Sequence, residues 1–122
     1  MITAGFAPDL TAAYAHCRLL TRRHGTTYFW ATQLLPRPRR PHVYALYGFC
    51  RHADDIVDDL DDRPVAERAD ALAALGDRLR SAFAGASIDP TVDPVVAAVA
   101  RTVAVHRIDP ECFERFLRSM SM

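Results

Sequence analysis

Three times in this chain an aspartate stands just ahead of a proline and a helical apolar stripe: Asp62-Arg63-Pro64, Asp93-Pro94 and Asp109-Pro110. An aspartate before a helix can accept its orphan backbone N–H groups, and a proline in the first turn loses no bond. The run after Asp62 extends to about Phe83, with Ala69, Leu72, Leu75, Leu79 and Phe83 spaced three and four apart. The second start leads to a helix ending near His106, and the third to Glu111–Met122, striped by Phe113, Phe116, Leu117 and Met120. Upstream, Asp9 is placed to cap a helix to about Arg23, with Leu10, Tyr14, Cys17 and Leu20 on one face and Gly25 past its end. A short segment, Thr26 to Leu35, is stopped by Pro36, and residues Arg37 to Pro41 read as a basic turn. A long helix then spans about Pro41 to Leu60. No run alternates with the period of a strand. The expected fold class is all-α.

Half of the 122 residues are apolar, so a single domain can bury a core of roughly two-thirds of its unfolded surface. The 15 acidic side chains balance the 15 basic ones, all of them arginine, which argues against a nucleic-acid partner. Cys17, Cys50 and Cys112 are odd in number and form no CxxC pair, which excludes a disulfide framework or zinc site and points to a reducing compartment. The start of the chain lacks a signal-peptide pattern, and the apolar run Val95–Ala100 is far too short to span a bilayer. A cytoplasmic location follows, with peripheral membrane contact as the furthest departure from it. The basic turn suggests that contact through anionic lipid, against the plainer reading of a solvated turn.

The chemistry is concentrated in Arg51-His52-Ala53-Asp54-Asp55-Ile56-Val57-Asp58-Asp59. At about 100° per residue, Tyr47, Arg51, Asp54 and Asp58 fall within roughly 60° of one another. Leu46, Cys50, Ala53, Val57 and Leu60 form an adjoining apolar arc. Asp54 and Asp58 are thus expected to edge the buried stripe, with Asp55 and Asp59 in more polar surroundings. Two carboxylates one turn apart, with Cβ atoms about 5–6 Å from each other, repel unless a cation lies between them. Mg²⁺ suits such a pair because it takes oxygen ligands, keeps waters and shares itself with phosphates. Arg51 adds a forked donor matched to phosphate oxygens. A solvated acidic helix end is the alternative, although four aspartates near a helix C-terminus oppose its dipole. Asp89 and Asp93 repeat the spacing, but Pro90 and Pro94 break the helix that would align them, so they read as turn and cap residues.

Tyr14-Ala15-His16-Cys17-Arg18, His24-Gly25-Thr26-Thr27-Tyr28-Phe29-Trp30-Ala31-Thr32, Leu34-Leu35-Pro36 and Ala45-Leu46-Tyr47-Gly48-Phe49-Cys50-Arg51 lead in order into the acidic run. This ordered set resembles the squalene/phytoene synthase family and is most similar to its bacterial phytoene synthases. The resemblance is dense from about Tyr14 to Leu60 and looser to Phe116-Leu117-Arg118-Ser119-Met120. It implies the N-terminal part of an isoprenoid-synthase-type helical fold, with residues 1–122 an incomplete part of one domain. The implied reaction joins two geranylgeranyl diphosphates head to head, through a cyclopropyl diphosphate, to phytoene for carotenoid biosynthesis. Mg²⁺ is the implied cofactor, Mn²⁺ its substitute, and no nicotinamide is expected.

Carried over to this chain, the resemblance makes Asp54 and Asp58 metal ligands and, with Arg51, catalytic residues. His24, Thr27, Tyr28, Tyr47 and Arg51 become substrate-binding residues, with His24 and Thr27 on a loop over the phosphates and Tyr28 in the cavity. The family's second aspartate-rich motif has no helical counterpart here, which implies a truncated chain that is inactive alone. The alternatives are a squalene or dehydrosqualene synthase-like enzyme, a non-catalytic helical module, or one half of a split enzyme with a separately encoded C-terminal half. Of the remaining residues, His42 and His52 read as surface or loop histidines, Phe29 and Trp30 as core, and Cys17 and Cys50 as inert packing.

Overall fold

The computed structural model describes residues 10–59 and 62–120. Six α-helices run in the order α1 (Thr11–His24), α2 (Thr26–Thr32), α3 (Arg40–Asp59), α4 (Val65–Phe83), α5 (Pro94–His106) and α6 (Glu111–Met120), with one 3₁₀ turn at Arg37–Arg39. No strand occurs among the described residues. The all-α expectation holds, and the helix bounds agree with it to within a few residues.

The central element is α3, which packs against α1 and α5, while α4 covers α5 and part of α3 and α6 closes on α4. Cys17, Phe49, Leu72, Leu75, Leu79, Val96 and Val99 meet in one core with essentially no exposure. Close approach of α1 and α3 depends on Gly48, where an added Cβ would lie 3.0 Å from the Cys17 sulfur. A polar node ties three helices together: the Tyr14 hydroxyl donates to the Ala98 carbonyl (3.1 Å), and Thr102 Oγ1 lies 2.9 Å from Tyr14 Oη and 2.8 Å from His42 Nδ1. Thr102 is fully buried, so these bonds offset the desolvation of its hydroxyl.

Several local expectations need correction. Asp9 lies outside the described residues; Leu10, which flanks α1, makes no side-chain cap bond. The helix after Gly25 ends at Thr32, three residues before Leu35, because Arg40 takes the carbonyls of Gln33 (2.9 Å) and Leu35 (3.0 Å). The basic turn is a 3₁₀ turn that runs straight into α3. Asp62 does not cap α4; Pro64 flanks the helix without a side-chain bond. Asp93 flanks α5, yet its carboxylate accepts from Arg78 Nε (3.1 Å) instead of a helix N–H. Only at Asp109 does the carboxylate accept from the following helix, from Glu111 N at 2.9 Å. Asp89 binds Thr91 in a turn, as its prolines imply.

Candidate functional site

Twenty residues make α3 about 30 Å long, and its last three turns carry Tyr47, Arg51, Asp54 and Asp58. Seated on the α1 and α5 side by Ala45, Gly48, Phe49 and Ala53, the helix leaves the opposite side of these turns to polar groups. Tyr47 is half-buried beneath the α1–α2 junction. A Cβ at Gly25 would lie 2.5–2.8 Å from the end of the Tyr47 ring, so only glycine lets this ring pass under the junction. The Tyr28 ring packs on Tyr47 at 5.7 Å between centroids. His24, Thr27 and Tyr28 are exposed on that junction, Tyr28 at 65%. The structure therefore brings the early His24–Tyr28 segment to the same place as Tyr47, about twenty residues later in the chain.

Charges reach the same spot. Burial pushes the Tyr47 phenol above its usual range, the neighbouring Asp54 adds to that rise, and Arg51 opposes it. Burial and Asp54 together raise the Cys50 thiol. Arg51 Nη2 binds Asp55 Oδ1 at 2.9 Å, while Arg51 Nε is buried with no hydrogen-bond partner among the described residues. A buried N–H without an acceptor costs about 1–3 kcal/mol, so this donor is suited to an incoming oxygen.

The acidic side chains do not sit as the helical wheel suggests. Asp54 and Asp58 are exposed, and Asp55 is the less exposed neighbour because it reaches back one turn to Arg51. Neither Asp54 nor Asp58 lines the main groove or the two smaller hollows of the surface. Among the described residues no group of three His, Cys, Asp or Glu could hold a metal ion. The donor set fits a divalent ion in part: two carboxylates one turn apart, beside an Arg and a Tyr, match the protein's share of an ion otherwise held by water and phosphate.

Other residues fall elsewhere. Trp30 is 63% exposed and not core, whereas Phe29 is buried against Tyr44. His42 and His52 are half-buried on α3 and not loop residues. His42 packs edge-on against Tyr14 and His106, and burial lowers its affinity for a proton. Burial also lowers the His52 pKa, with Asp93, which flanks α5, and Arg78 of α4 acting in opposite directions. Cys17 is fully buried, as expected of packing. The Gly25–Tyr47 fit had a sequence signal in the bare glycine between two helical segments, but nothing local named Tyr47 as its neighbour. Among the described residues, no helix is long and apolar enough to cross a membrane.

Comparison with known proteins agrees with the family resemblance. A family model for squalene/phytoene synthase matches residues 21–122. The chain is 33% identical to a 15-cis-phytoene synthase of Synechococcus elongatus over 93% of its own length and 35% of that protein's. It is 34% identical to a chloroplastic phytoene synthase 3 of Zea mays, covering 93% of this chain and 25% of the relative. A presqualene diphosphate synthase of Rhodopseudomonas palustris is 31% identical over 80% of this chain and 33% of its own length. The chain thus spans between a quarter and about a third of the length of these relatives. No solved structure matches it. A family model matching residues 21–122, together with relatives at about a third identity over most of the chain, shows that the chain belongs to the squalene/phytoene synthase family.

Proposed function

We propose that this chain supplies one wall of a prenyl diphosphate site, in an enzyme that joins two geranylgeranyl diphosphates head to head to give phytoene. The observation that carries the reading is the convergence of the His24–Tyr28 junction with Tyr47, Arg51 and Asp54 at one end of α3. The names of the relatives from Synechococcus and maize support phytoene as the product. The presqualene diphosphate synthase supports a second reading, with a squalene-type product from a shorter prenyl chain.

In this proposal Asp54 and Asp58 hold Mg²⁺, or Mn²⁺ in its place, against the diphosphate. The ion, when bound, neutralises charge on the departing diphosphate. Arg51 directs its unpartnered Nε and its fork toward the phosphate oxygens. His24 and Thr27 offer a ring nitrogen and a hydroxyl from the junction above. Tyr47 and Tyr28 present ring faces, which stabilise positive charge developing on an allylic carbon. A second wall of ligands is assigned to chain outside these 122 residues, joined to them or supplied separately. The isolated chain is then expected to bind diphosphate weakly and to make no phytoene, because two substrates are not held in register.

Titration calorimetry with Mg²⁺ and inorganic pyrophosphate tests the reading. Asp54→Asn and Asp58→Asn are each expected to weaken Mg²⁺-dependent binding by about tenfold or more. Asp59→Asn and Asp70→Asn should leave it within about threefold. Equal losses across all four variants would remove Asp54 and Asp58 from the site. Phytoene formed by the purified chain alone would overturn the assignment of a second wall elsewhere.

A further inference from the structure

A groove of about 1010 Å³ opens at the other end of α3 from the aspartate pair. Arg40, on its rim, and Asp54 are separated by about 21 Å along the helix axis. Four arginines from four elements line the groove: Arg18 of α1, Arg37 of the 3₁₀ turn, Arg40 of α3 and Arg101 of α5. Among the described residues no Asp or Glu lines it. The overall charge balance hides this asymmetry, since residues 10–53 contain seven arginines and no carboxylate.

Six arginines elsewhere are neutralised, although Arg22, Arg23, Arg39 and Arg107 are not among the described residues' ion pairs. Arg51, Arg63, Arg78, Arg80, Arg115 and Arg118 each pair with an Asp or Glu. Arg18, Arg37 and Arg101 form no ion pair with any described residue. Arg40 is fixed on the backbone of Gln33 and Leu35, which holds one guanidinium in a set orientation at the rim. Cations gathered without a counter-charge repel one another and attract an anion.

Apolar side chains beside the groove distinguish a membrane surface from a dissolved phosphate. Leu34, next to the lining residue Gln33, is 87% exposed, and Val105 in the groove wall is 52% exposed. Trp30, one turn before Leu34, stands out at 63%. Arginine beside outward leucine and tryptophan is the pairing suited to a bilayer interface, where guanidinium groups meet phosphates and apolar groups enter the acyl boundary. We propose that this groove binds the phosphate headgroups of anionic phospholipids and seats the Gln33–Arg40 corner on a membrane. This surface is separate from the proposed prenyl diphosphate site at the far end of α3.

The test is flotation of the full chain with phosphatidylcholine vesicles, with and without phosphatidylglycerol. Phosphatidylglycerol-dependent binding is expected, falling by about tenfold or more in Arg37→Glu/Arg101→Glu. Arg63→Glu/Arg115→Glu, which changes net charge equally on other surfaces, should retain it. Leu34→Asp should weaken binding, and soluble glycerol phosphate should compete poorly. If the double reversal fails to fold by circular dichroism, Arg101→Gln takes its place with the same expected direction. Binding that ignores phosphatidylglycerol, or falls equally in the Arg63/Arg115 variant, overturns the proposal. Full competition by glycerol phosphate together with indifference to Leu34→Asp overturns it too, in favour of a site for a free phosphate ester.

Discussion

Gly25 and Tyr47 fit together with no room for a methyl group: a Cβ on Gly25 would stand 2.5 Å from the Cζ of the Tyr47 ring. This contact pins the α1–α2 junction onto the acidic end of α3. Gly25→Ala should therefore force the ring aside and destabilise the fold by about 1–3 kcal/mol. In a Tyr47→Ala background the same change should cost much less. A denaturant-unfolding double-mutant cycle measures the coupling, and simple additivity would show that the clash is relieved elsewhere.

Arg51 gives Nη2 to Asp55 and leaves its buried Nε without a partner among the described residues. Lysine keeps the charge but loses the fork and the Nε position. Arg51→Lys is expected to weaken Mg²⁺-dependent pyrophosphate binding by about tenfold. Asp55→Asn, which removes one half of a partly exposed pair, should lower stability by no more than about 1 kcal/mol. Calorimetry and chemical denaturation separate the two effects.

Thiol chemistry should report the packing. Burial pushes the Cys17 thiol up to about 12, and burial with Asp54 raises Cys50, whereas Cys112 is exposed. Attack on a disulfide reagent requires thiolate and access. At mildly alkaline pH, Cys112 should react first with Ellman's reagent and Cys50 slowly. Cys17 should react only after denaturation. Rapid reaction of all three thiols in the native protein would contradict the core described here.

Acid should weaken the fold through His42 and His52. Burial lowers the pKa of both in the folded state below 6.5, with His106 and Arg101 adding to the effect at His42. The unfolded chain then binds more protons between the folded values and about 6.5, so stability rises with pH across that window. Their contribution is fully present above about 6.5 and is lost as the pH falls toward the folded values. Thermal unfolding from pH 7.5 to 5.5 should show a falling midpoint, approximate pH limits set by the ordinary imidazole range. His42→Gln should flatten part of that slope.

Residue order was enough to recover the helical architecture, since apolar spacing, prolines and glycines are local signals acting within a few residues. The helices after Pro64, Pro94 and Pro110 appeared close to where their stripes ran. Their caps did not follow, because Asp93 found Arg78, a partner 15 residues away. Competition between a nearby N–H and a distant guanidinium cannot be ranked from local order.

At the acidic end of α3, helical periodicity placed Tyr47, Arg51, Asp54 and Asp58 in one sector, but it did not foresee that Asp54 and Asp58 stand exposed while Asp55 is less so. Which carboxylate Arg51 would engage was not legible either, since both Asp54 and Asp55 lie within reach and only side-chain packing chose Asp55. Folding also decided that His24–Tyr28 meets Tyr47 and that four arginines from separate elements share one groove. Such meetings depend on how helices cross, and crossing is set by the close approach of small residues such as Gly25 and Gly48 across the core. A helix's own period carries no information about its neighbour.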